Sequence, residues 1–176
     1  VTMTTLLLTA GTAENVIVNT VKISFTSSTT FAATSNTASA DLSNVRLYDG
    51  ATQVGYTMQI TDGGTGAYDY VSFTGLSLII PAGTTKAVSI VVDIVGSSGD
   101  LYSGIAANGD ITGAGAVSGT SVSSTGGIAK SAKLTLTTGG TLAFGVSAAT
   151  PLAANIAVGA TEGKTGVAFS TFKFTT

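Results

Sequence analysis

The sequence contains no cysteine and no histidine. Without cysteine there is no disulfide and no thiolate metal site. Without histidine the commonest general base and metal ligand are also missing. Tryptophan is absent too, so none can line a substrate cleft. Charge is scarce: 9% of residues are ionic, against about a quarter in ordinary globular chains. The seven basic residues are scattered singly and the net charge is −2. No basic patch faces a phosphate backbone, which argues against nucleic acid as a partner. Leu76–Ile80, a largely apolar run broken only by Ser77, is too short to span a bilayer. No Asn-x-Ser/Thr sequon occurs, which excludes N-glycosylation at that motif; O-linked glycans on Ser and Thr remain open. The chain starts at Val1 with neither Met nor a charged-then-apolar leader, so the expectation is a processed mature chain or a piece of something longer.

What is present is β-forming and uncharged. The 176 residues are 44% hydrophobic, with 23 glycines and 50 serines and threonines. Thr and Val favour strands, Gly and Ser favour turns, and strong helix formers are rare. Missing thiols fit an extracellular protein. Low charge removes the repulsion that keeps freely diffusing proteins apart, which a polymer subunit tolerates better than a monomer.

Alternation marks the strands. In Glu14–Thr26, Ile17, Val21, Ile23 and Phe25 share one face. Ser27–Ala40 is a loop with only Phe31 to bury. Asn44–Tyr48 and Gln53–Ile60 flank Asp49-Gly50, a hairpin signal. Tyr68–Phe73 and Leu76–Ile80 follow. Thr85–Val95 is the most apolar strand and is expected to be central and covered on both faces. From Gly96 to Lys130 the chain is rich in Gly, Ser and Ala, and edge strands are expected near Leu101–Ala106 and Asp110–Thr112. Ala132–Thr138 and Thr141–Ser147 flank Gly139-Gly140, a second hairpin candidate. No segment holds a 3.6-residue apolar period over about ten residues, so no helix is expected. Short strands with a turn about every 8–12 residues give an all-β fold, a sandwich or barrel, with an immunoglobulin-like antiparallel β-sandwich favoured.

The final stretch, Val167–Thr176, repeats the first, Val1–Ala10. Phe169 aligns with Met3, Phe172 with Leu6, Phe174 with Leu8 and Thr175 with Thr9. In both, the apolar residues begin in one phase and then switch to the other. A strand alternates with period two, so the switch predicts a bulge or a change of sheet. The chain thus reads as one unit over 1–166 followed by the opening strand of another. Its parts are a β-sandwich body at 1–130, a β-hairpin and bridging segment at 131–166, and a donor strand at 167–176.

Three runs carry a resemblance: Asp41–Gly55, Phe73–Lys86 with Val92-Asp93-Ile94, and Pro151–Gly159 leading to Phe172-Lys173-Phe174. Together they resemble tandem immunoglobulin-like β-sandwich repeats of long secreted surface proteins of candidate-phyla bacteria, or a filament subunit built from such a repeat. The resemblance implies an extracellular structural role and no catalytic residues. It departs from such arrays in stopping shortly after a new copy begins.

Asp62, Asp69, Asp93, Asp100 and Asp110 offer oxygen ligands of the kind calcium takes. None has the spacing of a known calcium loop, and turn-forming aspartates that bond their own backbone are the plainer reading. Any two of the nine carboxylates could be paired as in a glycosidase, but nothing selects a pair. Tyr48, Tyr56, Tyr68, Tyr70 and Tyr102 could form a sugar-stacking surface or cross-strand aromatic pairs. No enzyme, cofactor or metal is expected. Phe169, Phe172 and Phe174 place aromatics on both faces of the last strand, which then needs cover on both. Val167, Phe169, Phe172 and Phe174, with Met3, Leu6 and Leu8, are the expected subunit interface. The function expected is a structural subunit of an extracellular filament or surface layer, joined head to tail to copies of itself by strand complementation. The alternative is an adhesin or carbohydrate-binding repeat of a larger surface protein.

Overall fold

A computed structural model describes residues 1–28, 30–33, 38–96, 99–137, 143–146, 148–149 and 170–175. The chain divides into two units, Val1–Thr137 and Thr138–Thr176. The first is nearly all β with antiparallel sheets. One sheet has the order β1 (Thr2–Thr9), β7 (Thr85–Ile94), β3 (Leu42–Asp49), β4 (Thr52–Met58).

The other sheet is built around β2 (Val16–Thr26). On one edge β2 pairs with β6 (Leu78–Ile80) and then with β5 (Asp69–Phe73). On its opposite edge it pairs with β9 (Ile111–Gly115) and then with β8 (Gly99–Ile105). The opposition follows from shared partners: Val16 pairs with both Ile80 and Gly115, and Ser24 with both Tyr70 and Gly104. Beyond β9 lies β10 (Ser121–Ser123), and beyond β8 lie β11 (Ala129–Lys130) and β12 (Leu134–Leu136). Gly104 permits the close approach of β11, because a Cβ there would overlap the Ala129 carbonyl.

Both sheets contribute to one hydrophobic core. Met3, Leu6, Val45, Leu47, Val88, Ile90 and Val92 meet Val21, Ile23, Phe25, Val71, Leu101 and Ile111. This is consistent with a β-sandwich.

The expected bulge in the first strand is present. Thr2 pairs with Val91 but Thr4 with Ile90, so Met3 is the extra residue. It lets Met3 and Leu6, three positions apart, both face the core. A second bulge in β3 lies between Ser43 and Arg46, where Asn44 has φ 49°. The Asp49-Gly50 hairpin forms. Its central residues are Gly50 and Ala51, because Asp49 pairs with Thr52, and Gly50 has φ 59°. Phe31 is buried, as expected, and its ring lies 5.2 Å from that of Tyr68, whose hydroxyl donates to the Phe31 carbonyl at 2.7 Å.

Other expectations are corrected. β7 is central, but Val88, Ile90 and Val92 are buried on one face only, while Ser89, Val91 and Asp93 on the other are partly exposed. β8 is no edge strand: Leu101–Ile105 is buried and flanked by β2 on one side and β11 and β12 on the other. Small residues there signal close packing rather than an edge. The two strands flanking Gly139-Gly140 do not pair with each other where described. Leu134–Leu136 pairs with β8, and Ala143–Val146 pairs elsewhere. The first unit therefore runs past 130, with Leu136 in its core. A four-residue helix, Ala38–Asp41, forms where none was expected; it is too short to show an apolar period.

Candidate functional site

The candidate site is the last strand, together with the strand that it repeats. β14 (Phe172–Thr175) pairs antiparallel with β13 (Ala143–Val146) within the chain's own second unit: Phe174 lies opposite Phe144 and Phe172 opposite Val146. Among the described residues, this two-stranded sheet has no third strand. Alternation puts Phe172 and Phe174 on one face, where they are 57% and 69% exposed. Their counterparts in the first strand are placed differently. Met3 and Leu6 are buried in the core and Leu8 packs partly against it. Those three side chains thus belong to their own unit's interior. Val167 and Phe169 lie outside the described residues.

Among the described residues, β1 leaves its outer main-chain edge open, because β7 pairs with only one side of it. Under that edge lies a cavity of about 690 Å³ between the two sheets. Leu6 and Leu8 line it on one side, and Val18, Ile105, Ile111 and Val122 on the other. Periodicity gave no sign of this cavity, because it depends on which edge of β2 the strands β8 and β9 take.

Three of the aspartates, Asp62, Asp69 and Asp110, hold backbone amides, and Asp93 and Asp100 hold side chains. Asp69 is fully buried and accepts the Ser39 and Gly63 amides at 2.8 and 3.1 Å. Asp62 accepts the Gly64 amide at 2.8 Å, and Asp110 accepts the Ala106 and Ala107 amides at 3.1 and 2.9 Å. Asp100 accepts Thr135 Oγ1 at 2.8 Å and pairs with Lys133 at 3.1 Å. The Thr135 hydroxyl, then Lys133, holds its carboxyl below the usual value. Asp93 receives the Asn44 amide at 2.9 Å and an ion pair from Arg46, and the Asn44 bond is the main cause of its lowered pKa. Glu14 fastens the 117–118 turn, accepting from Ser118 Oγ and from the Val117 and Ser118 amides at 2.6, 2.7 and 3.0 Å; the Ser118 hydroxyl is the main cause of its lowered pKa. Among the described residues, no three acidic side chains gather as they would around a metal ion.

The tyrosines are dispersed. Tyr48 and Tyr56 belong to the four-stranded sheet, and Tyr68 lies against Phe31. Tyr70 and Tyr102 lie under the ammonium groups of Lys22 and Lys130, at 4.9 and 4.8 Å. No helix among the described residues is long and apolar enough to cross a membrane. No known protein family matches this chain, nor does any curated protein or solved structure.

Proposed function

We propose that this protein is a structural subunit of an extracellular filament or surface layer, with an immunoglobulin-like body, joined head to tail by strand complementation. One observation carries the reading. The final strand repeats the phase pattern of the first, yet Phe172 and Phe174 stand in solvent where Leu6 is buried. An isolated two-stranded sheet is marginal in water, and exposed aromatics beside an unpaired strand edge invite another chain. Each Phe buried at a junction contributes about 2 kcal/mol by area, and ordering the strand takes back part of that. A donor on one subunit and an acceptor on the next give an open, heterologous polymer. Sparse charge and missing thiols agree with a packed extracellular assembly.

Electron microscopy of the purified chain tests this directly, with the Phe172→Asp/Phe174→Asp double variant beside it. The unaltered chain should form regular filaments or sheets. The variant should remain dispersed while keeping the β-sheet circular dichroism and melting temperature of the body. Normal assembly by the variant would refute strand complementation.

A further inference from the structure

We infer that the acceptor is the open side of the sandwich, where the final strand of a second copy adds to the free edge of β1 and turns Phe172 and Phe174 into the cavity beneath it. This rests on the assembly reading above and names the surface it uses.

The topology creates the opening. β8 and β9 leave β2 by the same edge, so β10 and β11, which pair beyond them, form one broken rim of their sheet. β1 is the rim of the other sheet. Both rims border the same cavity, which is lined by Thr4–Gly11 on one side and by Ile105, Ile111, Val122 and Ala129 on the other. A sandwich with both rims complete would close here. Among the described residues, this one has an unpaired strand edge above a space into which Leu, Val and Ile side chains face beside Thr and Ser.

The occupant is indicated by sequence. Val167–Thr176 has the phase pattern of β1, the strand that already lies at this cavity. In a neighbouring copy the place of β1 against β7 is filled by that copy's own strand. The next position in the same sheet is the free edge of β1. A strand added there alternates like β1, with one set of side chains toward the core and the other outward. Phe172 and Phe174 then point into the cavity and Lys173, between them, points to solvent. The aliphatic part of the cavity's lining, Leu6, Leu8, Val18, Ile105, Ile111 and Val122, and the exposed aromatics thus cover each other. Main-chain bonds to β1 remove an exposed edge.

The absence of cysteine makes the test clean. Lys173→Cys is combined in the full chain with Thr5→Cys, Leu7→Cys or Thr9→Cys, all exposed outward positions, and the product is oxidised under assembling conditions. The expected result is a ladder of covalent dimers and higher oligomers from the pair in register, and none from Lys173→Cys with Tyr56→Cys, whose partner sits on β4. Separately, Val122→Arg should raise the concentration needed for assembly about tenfold or more by placing a charge at the cavity mouth, with the melting temperature of the body unchanged. Filaments that form normally but give no ladder with any of the three pairs would overturn the acceptor while leaving the assembly reading in place. A cross-linked monomer would overturn it too, since the strand would then close on its own chain. Failure of the unaltered chain to assemble would instead be failure of the assembly reading.

Discussion

The scarce carboxylates of this chain make hydrogen bonds that hold loops and strands in place. Asp69 is enclosed, and its two oxygens each take a backbone amide, one from Ser39 in the short helix and one from Gly63 in a loop. Asp69→Ala would leave both amides unpaired, and each orphaned buried donor costs about 1–3 kcal/mol. A loss of about 2–4 kcal/mol is therefore expected, read as a lower urea midpoint at unchanged m-value. Glu14, Asp93 and Asp100 give a second prediction. Each pKa is lowered in the folded chain, by hydrogen bonds from Ser118, Asn44 and Thr135 respectively. A depressed carboxylate binds its proton less readily folded than unfolded. Its contribution is complete above the ordinary carboxylate value of about 4 and is lost as pH falls through the folded value. Melting temperature should thus hold from neutral pH down to about 5 and fall below about 4. Glu14→Gln should shallow that fall, and an unchanged acid profile would show that the Glu14 contacts contribute nothing measurable.

At the scale of the strand, β1 makes the sharpest claim. The bulge at Met3 sets which leucine enters the core: Leu6 is 7% exposed and its neighbour Leu7 is 71% exposed. Leu6→Ala should cost about 2–5 kcal/mol and Leu7→Ala no more than about 0.5 kcal/mol, as measured by chemical denaturation. Similar costs at both positions would mean that the register is wrong. This bulge was legible because Met3, Leu6 and Leu8 cannot share one uninterrupted alternation. The Gly50 turn was legible for a like reason, since Asp-Gly between alternating runs is a local signal. The pairings of β8 and β12 were not. Leu134 finds Leu101 across the sequence, and nothing in Ala132–Thr138 distinguishes that partner from the nearer Thr141–Ser147. The buried Ser103 and Gly104 likewise read as edge-like residues, because small side chains fit either an edge or a crowded interior. For the candidate site, the likeness of Val167–Thr176 to Val1–Ala10 was visible as a repeated pattern, while the cavity beside β1 exists only once the second sheet has chosen its edges.

For the whole molecule, the balance of charge and apolar surface decides what should break an assembly. Among the described residues, three ion pairs, Arg46–Asp93, Lys86–Asp49 and Lys133–Asp100, lie in the first unit and take up six of the chain's sixteen Lys, Arg, Asp and Glu residues. The strand proposed as donor carries one charge, Lys173, which the added-strand geometry leaves in solvent. Association through main-chain bonds and buried phenylalanines is then nearly independent of ionic strength. Raising salt from about 0.1 to about 1 M shortens the screening length from about 10 to about 3 Å, enough to dissolve contacts held by surface charge. Urea acts differently, solvating both peptide groups and apolar surface. Sedimentation of preformed assemblies should therefore show no release of subunits in 1 M NaCl and progressive release in urea, at concentrations below those that unfold the body. The body has the larger core, with Val21, Ile23, Val45 and Ile90 fully enclosed, so its transition must come later than that of a junction resting on one strand. If salt alone dispersed the assemblies, charge would be holding them, and neither the donor strand nor the cavity beside β1 would explain why these chains join.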